Sequence, residues 1–406
     1  MVCLHLINFS KDIGFMKIVQ INVTCGSGST GKICLAVSDL LTKKGIENYI
    51  LYSAGNSDYP LGIKYMTEFD TKFQALKSRV FGNYGFNSIS ATKMIIENLD
   101  RIKPDIIHLH NIHGHNCDLE LLFKYIKSNK IQLFWTFHDC WAFTGYCPHY
   151  DMIGCDRWKS ECNNCPQRKS YSWFFDKSSV LYRKKKELFD GLDLTIITPS
   201  EWLADQVKQS FLHKYETVVI NNGIDLSIFK PTDSDFRKKY SLEDKFIVLG
   251  VAFGWGVRKG LDVFTELAHR LDNNYQIVLV GTNDEVDKNL PKSIISIHRT
   301  NDQTELAGIY TAADVFVNAT REENYPTVNM EAIACGTPVL TFNTGGSGEM
   351  INSSCGAVVP KNDIDAVERF IINMGKSNFY DRKTVAKQAY SFAGDNAFER
   401  YLDLYE

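Results

Sequence analysis

Glu323 and Glu331 stand eight positions apart in TREENYPTVNMEAIACGTPVLTFNTGG (Thr320 to Gly346), with Pro326 between them. Proline has a fixed φ and no N–H, so Pro326 suits the first turn of a helix, with Asn324 or Tyr325 just outside it. The backbone N–H groups of Thr327 and Val328 then lack partners inside the helix and make an anion site. Glu323 falls in the loop before this helix and Glu331 more than one turn into it. A second set lies in GWGVRKGLDVF (Gly254 to Phe264), where Arg258 and Lys259 follow Gly254 and Gly256, glycines that let a ligand approach closely. The chemistry this suits is departure of a phosphate-type leaving group, whose developing negative charge two cations and the helix amides stabilise. Neither the P-loop pattern G-x4-GK[ST] nor a paired-aspartate motif is present, so the cation pair is expected to replace a metal.

Histidine and cysteine supply the other candidates. His138 and Asp139 follow an apolar run, Ile131–Phe137, which places them at a strand's carboxyl end. HLHNIHGHN (His108 to Asn116) is placed alike: His113 and Gly114 are expected to line a second substrate's side, and His108 and His110 alternate along a strand as packing residues. The stretch from His138 to Gln167 carries Cys147, Cys155, Cys162 and Cys165. Four thiolates close a structural zinc site, with His149 able to replace one ligand; disulfides and free thiols are the rival readings. The role is structural in each case, because a catalytic zinc keeps an open position.

These residues need a scaffold. The chain has 406 residues, 44% hydrophobic and 23% charged, and a net charge of −3, which offers no attraction to nucleic acid. No apolar run approaches the roughly 20 residues of a membrane span. With no export signal, a cytoplasmic chain with reduced thiols is expected. The strand-like Lys17–Val23 follows Met16 at once, so Met16 is expected as the natural start, with residues 1–15 a misplaced start or a loose extension. CGSGSTG (Cys25 to Gly31) reads as a glycine-rich turn before a helix over Lys32–Lys44.

Apolar strands continue at Asn48–Ser53, Asp105–His110, Ile131–Phe137 and Leu194–Thr198, and a second series at Thr217–Ile220, Phe246–Ala252, Ile277–Gly281, Ile294–Ile297, Val315–Asn318 and Pro338–Thr341. Continuously apolar strands alternating with helices make parallel sheets covered on both faces. The expected organisation is an α/β chain of two doubly wound, Rossmann-like domains facing across a cleft: 1–198 with a Cys-rich insert at 140–166, 199–388, and a final helix in 389–406 that docks back on the first domain.

Glu323-x7-Glu331 resembles the nucleotide-sugar signature of family 4 of the retaining glycosyltransferases, which have the GT-B fold. GWGVRKGLDVF, INNGIDLSIFKP (Ile220 to Pro231), TGGSGEMI (Thr344 to Ile351), CGSGSTG and TFHD resemble the family's other motifs, in the same order. LHNIHGH and the Cys-rich insert look like the branch that builds bacterial capsular, colanic-acid-type and other exopolysaccharides. One departure is Asn324, where many relatives carry glycine.

The resemblance implies transfer of a sugar from a UDP- or GDP-sugar to a saccharide or lipid-linked saccharide. It implies His138, Arg258, Lys259 and Glu323 as the catalytic set, with no cofactor. Gly28, Gly31, Gly254, Arg258, Lys259, Glu323, Tyr325, Pro326, Thr327, Val328 and Glu331 would hold the donor, Glu331 through the ribose and Glu323 through the sugar. His113, Gly114 and Asp139 would face the acceptor. Retention would proceed by front-side attack, since no protein nucleophile is evident. A nucleotide-sugar 2-epimerase of this fold and a non-catalytic sugar-binding protein are the alternatives. Arg183–Lys186 beside Trp173, Phe174, Phe175 and Tyr182 reads either as a peripheral membrane contact or as a solvated helix face.

Overall fold

The computed structural model describes residues 16–377 and 379–406, so the reading of residues 1–15 lies outside the described residues. The first sheet is formed by β1 (Lys17–Asn22), β2 (Glu47–Tyr52), β3 (Gly62–Lys64), β4 (Ile106–Leu109), β5 (Gln132–Thr136), β6 (Leu194–Thr198) and β7 (Glu216–Val219), in the order β3-β2-β1-β4-β5-β6-β7. The second is formed by β8 (Phe246–Val251), β9 (Tyr275–Val280), β10 (Ile295–Ile297), β11 (Val315–Asn318), β12 (Val339–Phe342) and β13 (Gly356–Val359), in the order β10-β9-β8-β11-β12-β13. All pairings within both sheets are parallel. Val, Ile and Leu fill the central strands, and helices cover both faces, which removes their apolar surface from water.

The domain boundary differs from the expectation at residue 199. The strand expected to open the second half, β7, pairs with β6 from Thr195↔Glu216 to Thr198↔Val219 and closes the first sheet. Its half-buried residues suit an edge strand, a distinction that local hydrophobicity does not carry. The short strands β3 and β13 each form one outer edge of their sheet and have no counterpart among the apolar runs read from the sequence. The helix α1 (Gly28–Lys43) starts before the expected Lys32, so Gly28 and Gly31 belong to its first turn. A Cβ on Gly31 would lie 2.5 Å from Thr24 Oγ1, so the turn between β1 and α1 closes only around glycine.

The last helix, Gly394–Tyr405, lies on the first domain. Its Phe398, Tyr401 and Tyr405 are buried with Ile18, Ile33, Val37 and Phe134. Tyr405 Oη is 2.5 Å from His108 Nδ1, tying the chain's end to β4.

Candidate active site

The second sheet delivers its candidates on loops at strand carboxyl ends. After β8, Gly254 has φ +75° and a short 3-10 turn spans Val257–Lys259. Arg258 is exposed and makes no ion pair among the described residues, whereas Lys259 Nζ lies 2.7 Å from Glu323 Oε2. The two cations therefore point differently, a division that their adjacency in sequence conceals. Burial raises the Glu323 pKa, but the charge and hydrogen bond of Lys259 outweigh it and hold the carboxyl below its ordinary value.

The Glu323 loop is held from three sides. Arg321 makes a two-pronged ion pair with Asp262 at 2.7 Å and 2.7 Å. The later glycine turn packs on Glu323 so closely that a Cβ on Gly345 would lie 1.7 Å from its carbonyl oxygen. Gly346 N–H donates to Asn324 O at 2.8 Å.

Pro326 is the N-cap of the helix Thr327–Ala334, one residue before the first-turn position expected for it, and Thr327 and Val328 open the helix. Tyr325 is buried against the second core. Glu331, one turn in, accepts from Tyr310 Oη at 3.1 Å. Burial raises its pKa, while Tyr310 and the charge of Lys32, on α1 across the cleft, work against that rise.

On the first domain, His138 ends a hydrogen-bonded relay. Gln20 Nε2 donates to Cys34 O at 3.0 Å, which leaves Gln20 Oε1 as an acceptor facing His110 Nε2 at 3.1 Å. His110 therefore carries its proton on Nε2. Buried and neutral, it accepts at Nδ1 from His138 Nε2, 3.2 Å away. Burial lowers the His138 pKa to about 4, so its ring is neutral and Nδ1 is left as an acceptor. His110, read from the sequence as packing, thus sets the tautomer of His138. The signal was its period-two spacing beside His108, which does not distinguish packing from a relay.

Asp139 turns the other way. Its Oδ2 is 2.9 Å from His113 Nε2, and Oδ1 accepts from Trp141 N at 2.9 Å. Burial raises its pKa, but His113 and the Trp141 amide more than compensate, holding it at about 2. Tyr84 Oη reaches His113 Nδ1 at 3.5 Å, and Gly114, with φ +94°, sits in the turn beside it.

Side chains span the cleft. Asn324 Nδ2 donates to His138 O at 3.2 Å, and Asn324 Oδ1 accepts from Ser200 Oγ at 2.5 Å. Asn222 Nδ2 donates to Tyr325 O at 3.2 Å. The tip of the Cys-rich insert also crosses: Met152 N–H donates to Glu322 Oε1 at 3.0 Å, and Asp151 pairs with Lys361 at 3.0 Å. Glu322 immediately precedes Glu323, so the insert braces the loop that carries Glu323. No signal in the sequence identified Asn324, Gln20 or Asp151 in these roles.

The four insert cysteines are free thiols. Burial pushes Cys147 up, and the fields of Cys165, Cys162 and Cys155 add to the rise, which places all four in one neighbourhood. Among the described residues no three His, Cys, Asp or Glu side chains stand in position to hold a metal ion.

Residues 31–228 match the family described as Glycosyltransferase Family 4, and residues 244–376 match Glycosyl transferases group 1. The chain is 22% identical over 96% of its length to the whole of a putative colanic acid biosynthesis glycosyl transferase, WcaC, of Escherichia coli strain K12. It is 27% identical over 47% of its length, and 54% of the relative's, to the N,N'-diacetylbacillosaminyl-diphospho-undecaprenol alpha-1,3-N-acetylgalactosaminyltransferase of Campylobacter jejuni. Among solved structures, sucrose-phosphate synthase from Thermosynechococcus elongatus superposes with a TM-score of 0.70 over 96% of this chain and 98% of that one at 16% identity. Anabaena Alr3699/HepE in complex with UDP-glucose superposes with a TM-score of 0.67 over 96% and 99% at 14% identity.

Proposed function

Because the chain belongs to glycosyltransferase family 4, with the GT-B fold, we propose that its cleft transfers a sugar, with retention, from a UDP- or GDP-sugar to a saccharide or lipid-linked saccharide of a bacterial surface polysaccharide. The relative acting on a diphospho-undecaprenol saccharide and the neighbour bound to UDP-glucose support this substrate class. Every named relative cited is a glycosyltransferase, which disfavours the epimerase and binding-protein alternatives. The observation that carries the reading is the bond from Asn324, the residue after Glu323, to the His138 carbonyl across the cleft.

In this reading the bond between the anomeric carbon and the phosphate oxygen breaks. Arg258, Lys259 and the amides of Thr327 and Val328 stabilise the charge on the departing diphosphate. Glu323 and the neutral Nδ1 of His138 accept from sugar hydroxyls and orient the ring. Glu331 holds the ribose hydroxyls, and Gly28, Gly31 and Gly254 let the donor lie close to the backbone. The acceptor oxygen bonds to the anomeric carbon on the departing face, and its proton goes to the leaving phosphate oxygen. His113, Gly114 and Asp139 line the acceptor's approach. No metal or cofactor enters these steps.

For the insert we propose that Cys147, Cys155, Cys162 and Cys165 draw together on a structural zinc. Gly145 N–H donates to Cys162 Sγ at 3.2 Å. Lys185 is buried among these residues and bonded to the carbonyls of Trp141 and Thr144; burial lowers its pKa to about 7, and the fields of Cys162 and Cys147 work against that fall. We also propose that the protein works at the cytoplasmic face of a membrane; among the described residues no helix is long and apolar enough to cross one.

The test is a donor panel of UDP- and GDP-sugars, scored by transfer and by slow donor hydrolysis, with Glu323→Ala and Arg258→Ala. Losses of about 100-fold or more are expected in both variants. Full activity in both would remove this site assignment.

A further inference from the structure

The helix α2, Glu68–Phe81, is turned opposite to a core-packing helix. Its buried side chains are Gln74 and Ser78, whereas Phe69 (77% exposed), Phe73, Leu76 and Phe81 face solvent. At the helical repeat, Phe69, Phe73 and Leu76 share one narrow stripe, the kind a surface helix normally turns inward. A second apolar segment abuts its carboxyl end. Trp173 N–H donates to Arg79 O at 2.8 Å, and Tyr146 Oη donates to Gly82 O at 3.1 Å and reaches Phe175 O at 3.5 Å. Trp173, Phe174 and Phe175 are all exposed, so helix and loop form one apolar surface.

Lysine and arginine outnumber carboxylates around this surface, where Glu68 and Asp70 of α2 and Asp176 beside Phe175 are the acidic residues. Lys72, Arg79 and Lys169 are exposed, and Lys177 Nζ lies 5.9 Å from the Phe175 ring centre. Exposed aromatics with lysine and arginine at their margin, in a chain of net charge −3, are the composition of an interfacial contact with anionic lipid. We infer that this face, α2 with Trp173–Phe175, docks the protein on an anionic lipid surface. The Arg183–Lys186 run does not form it. Tyr182 and Lys185 are buried, Arg183 pairs with Glu161 at 3.4 Å, and Lys184 pairs with Glu120 at 3.7 Å.

The surface also leads to the acceptor side. Lys177 Nζ bonds Asn83 Oδ1 at 2.7 Å, Tyr84 reaches His113, and Gly85 N–H donates to Gly114 O at 3.2 Å. Docking through α2 therefore brings the His113–Asp139 cluster to the lipid headgroups, where a lipid-linked saccharide presents its sugar; this consequence rests on the transfer reading above.

The test is sedimentation of the full chain with vesicles of phosphatidylglycerol and phosphatidylcholine, against phosphatidylcholine alone. The protein is expected to sediment with the anionic vesicles and to be released by raised salt. The double variant Phe69→Ser, Phe73→Ser and the single variant Phe174→Ser are expected to lose about ten-fold in partitioning with unchanged melting temperature. The inference is overturned if the parent chain stays in the supernatant or if the variants sediment as it does. It is also overturned if the chain self-associates without vesicles and these substitutions make it monomeric, because the face then covers a second copy. A parent chain that binds anionic vesicles but shows no thermal shift with any nucleotide sugar leaves the docking surface standing and removes the transfer reading.

Discussion

Asn324 and His138 are joined across the cleft: the Asn324 side-chain amide donates to the His138 main-chain carbonyl at 3.2 Å, while its oxygen takes the Ser200 hydroxyl at 2.5 Å. Glycine at this position would offer no side chain to make either bond. In this protein the residue after Glu323 thus sets the distance between the two halves of the site. Asn324→Ala leaves Ser200 Oγ and the His138 carbonyl without that partner, at about 1–3 kcal/mol for the buried groups. The expected result is a lower melting temperature and a raised donor KM. A variant with parental melting and kinetics would show that the bridge does not hold the cleft.

Lys259 has two claimants, Glu323 and the proposed diphosphate. In Lys259→Met the carboxyl of Glu323 loses the charge that offsets its burial, so its pKa should rise. The acid limb of the kcat/KM profile then moves to higher pH, alongside a rate loss of about 100-fold. A pH profile with an unmoved acid limb would separate Lys259 from Glu323.

Three buried histidines make stability fall in mild acid. Burial lowers the His108 pKa to about 3 and that of His138 to about 4, and it holds His110 well below the ordinary value. All three are depressed relative to an unfolded value of about 6.5, so the unfolded chain binds more protons below that pH. Their stabilisation is complete above about pH 6.5 and declines as pH falls toward the folded values. Urea unfolding at pH 7.5 and 5.5 should differ by about 3–4 kcal/mol, near 1.3 per histidine. His108→Gln should lessen that difference.

Gln20 acts through His110. Gln20→Met removes the acceptor that holds the His110 proton on Nε2, so the His138 tautomer is no longer set. Nitrogen NMR of the His138 ring should show Nε2 protonated in the parent and a mixture in the variant. The expected kinetic mark is a lower kcat with little change in KM. An unchanged ring spectrum would reduce the relay to packing.

For the insert, elemental analysis is expected to find about one zinc per chain, and chelation to lower the melting temperature. Because Met152 bonds Glu322, Cys162→Ser should also raise the donor KM. Metal-free protein whose melting ignores chelator would remove the zinc proposal.

The residues proposed for the donor side were legible because their signals are local. Pro326 and the small residues after it mark a helix start, and glycines before Arg258–Lys259 mark a loop. The apolar runs of β1, β4, β5, β8, β9 and β11 mark two covered parallel sheets, since a parallel strand buried on both faces is apolar throughout. The family motifs added roles for the same positions.

What only the tertiary structure decided involves partners distant in sequence. Whether β7 closes the first sheet or opens the second depends on the edge of β6, not on its own residues. Gln20, His110 and His138 meet because β1, β4 and β5 lie side by side, although the chain separates the outer two by more than a hundred positions. Lys259 meets Glu323 rather than standing with Arg258 because neighbouring side chains on a tight turn diverge. The stripe Phe69, Phe73, Leu76 has a helical period that says nothing of which way it faces; only the helix's neighbours turned it outward. Local composition thus determined which elements form and which residues carry charge, and packing decided which of them touch.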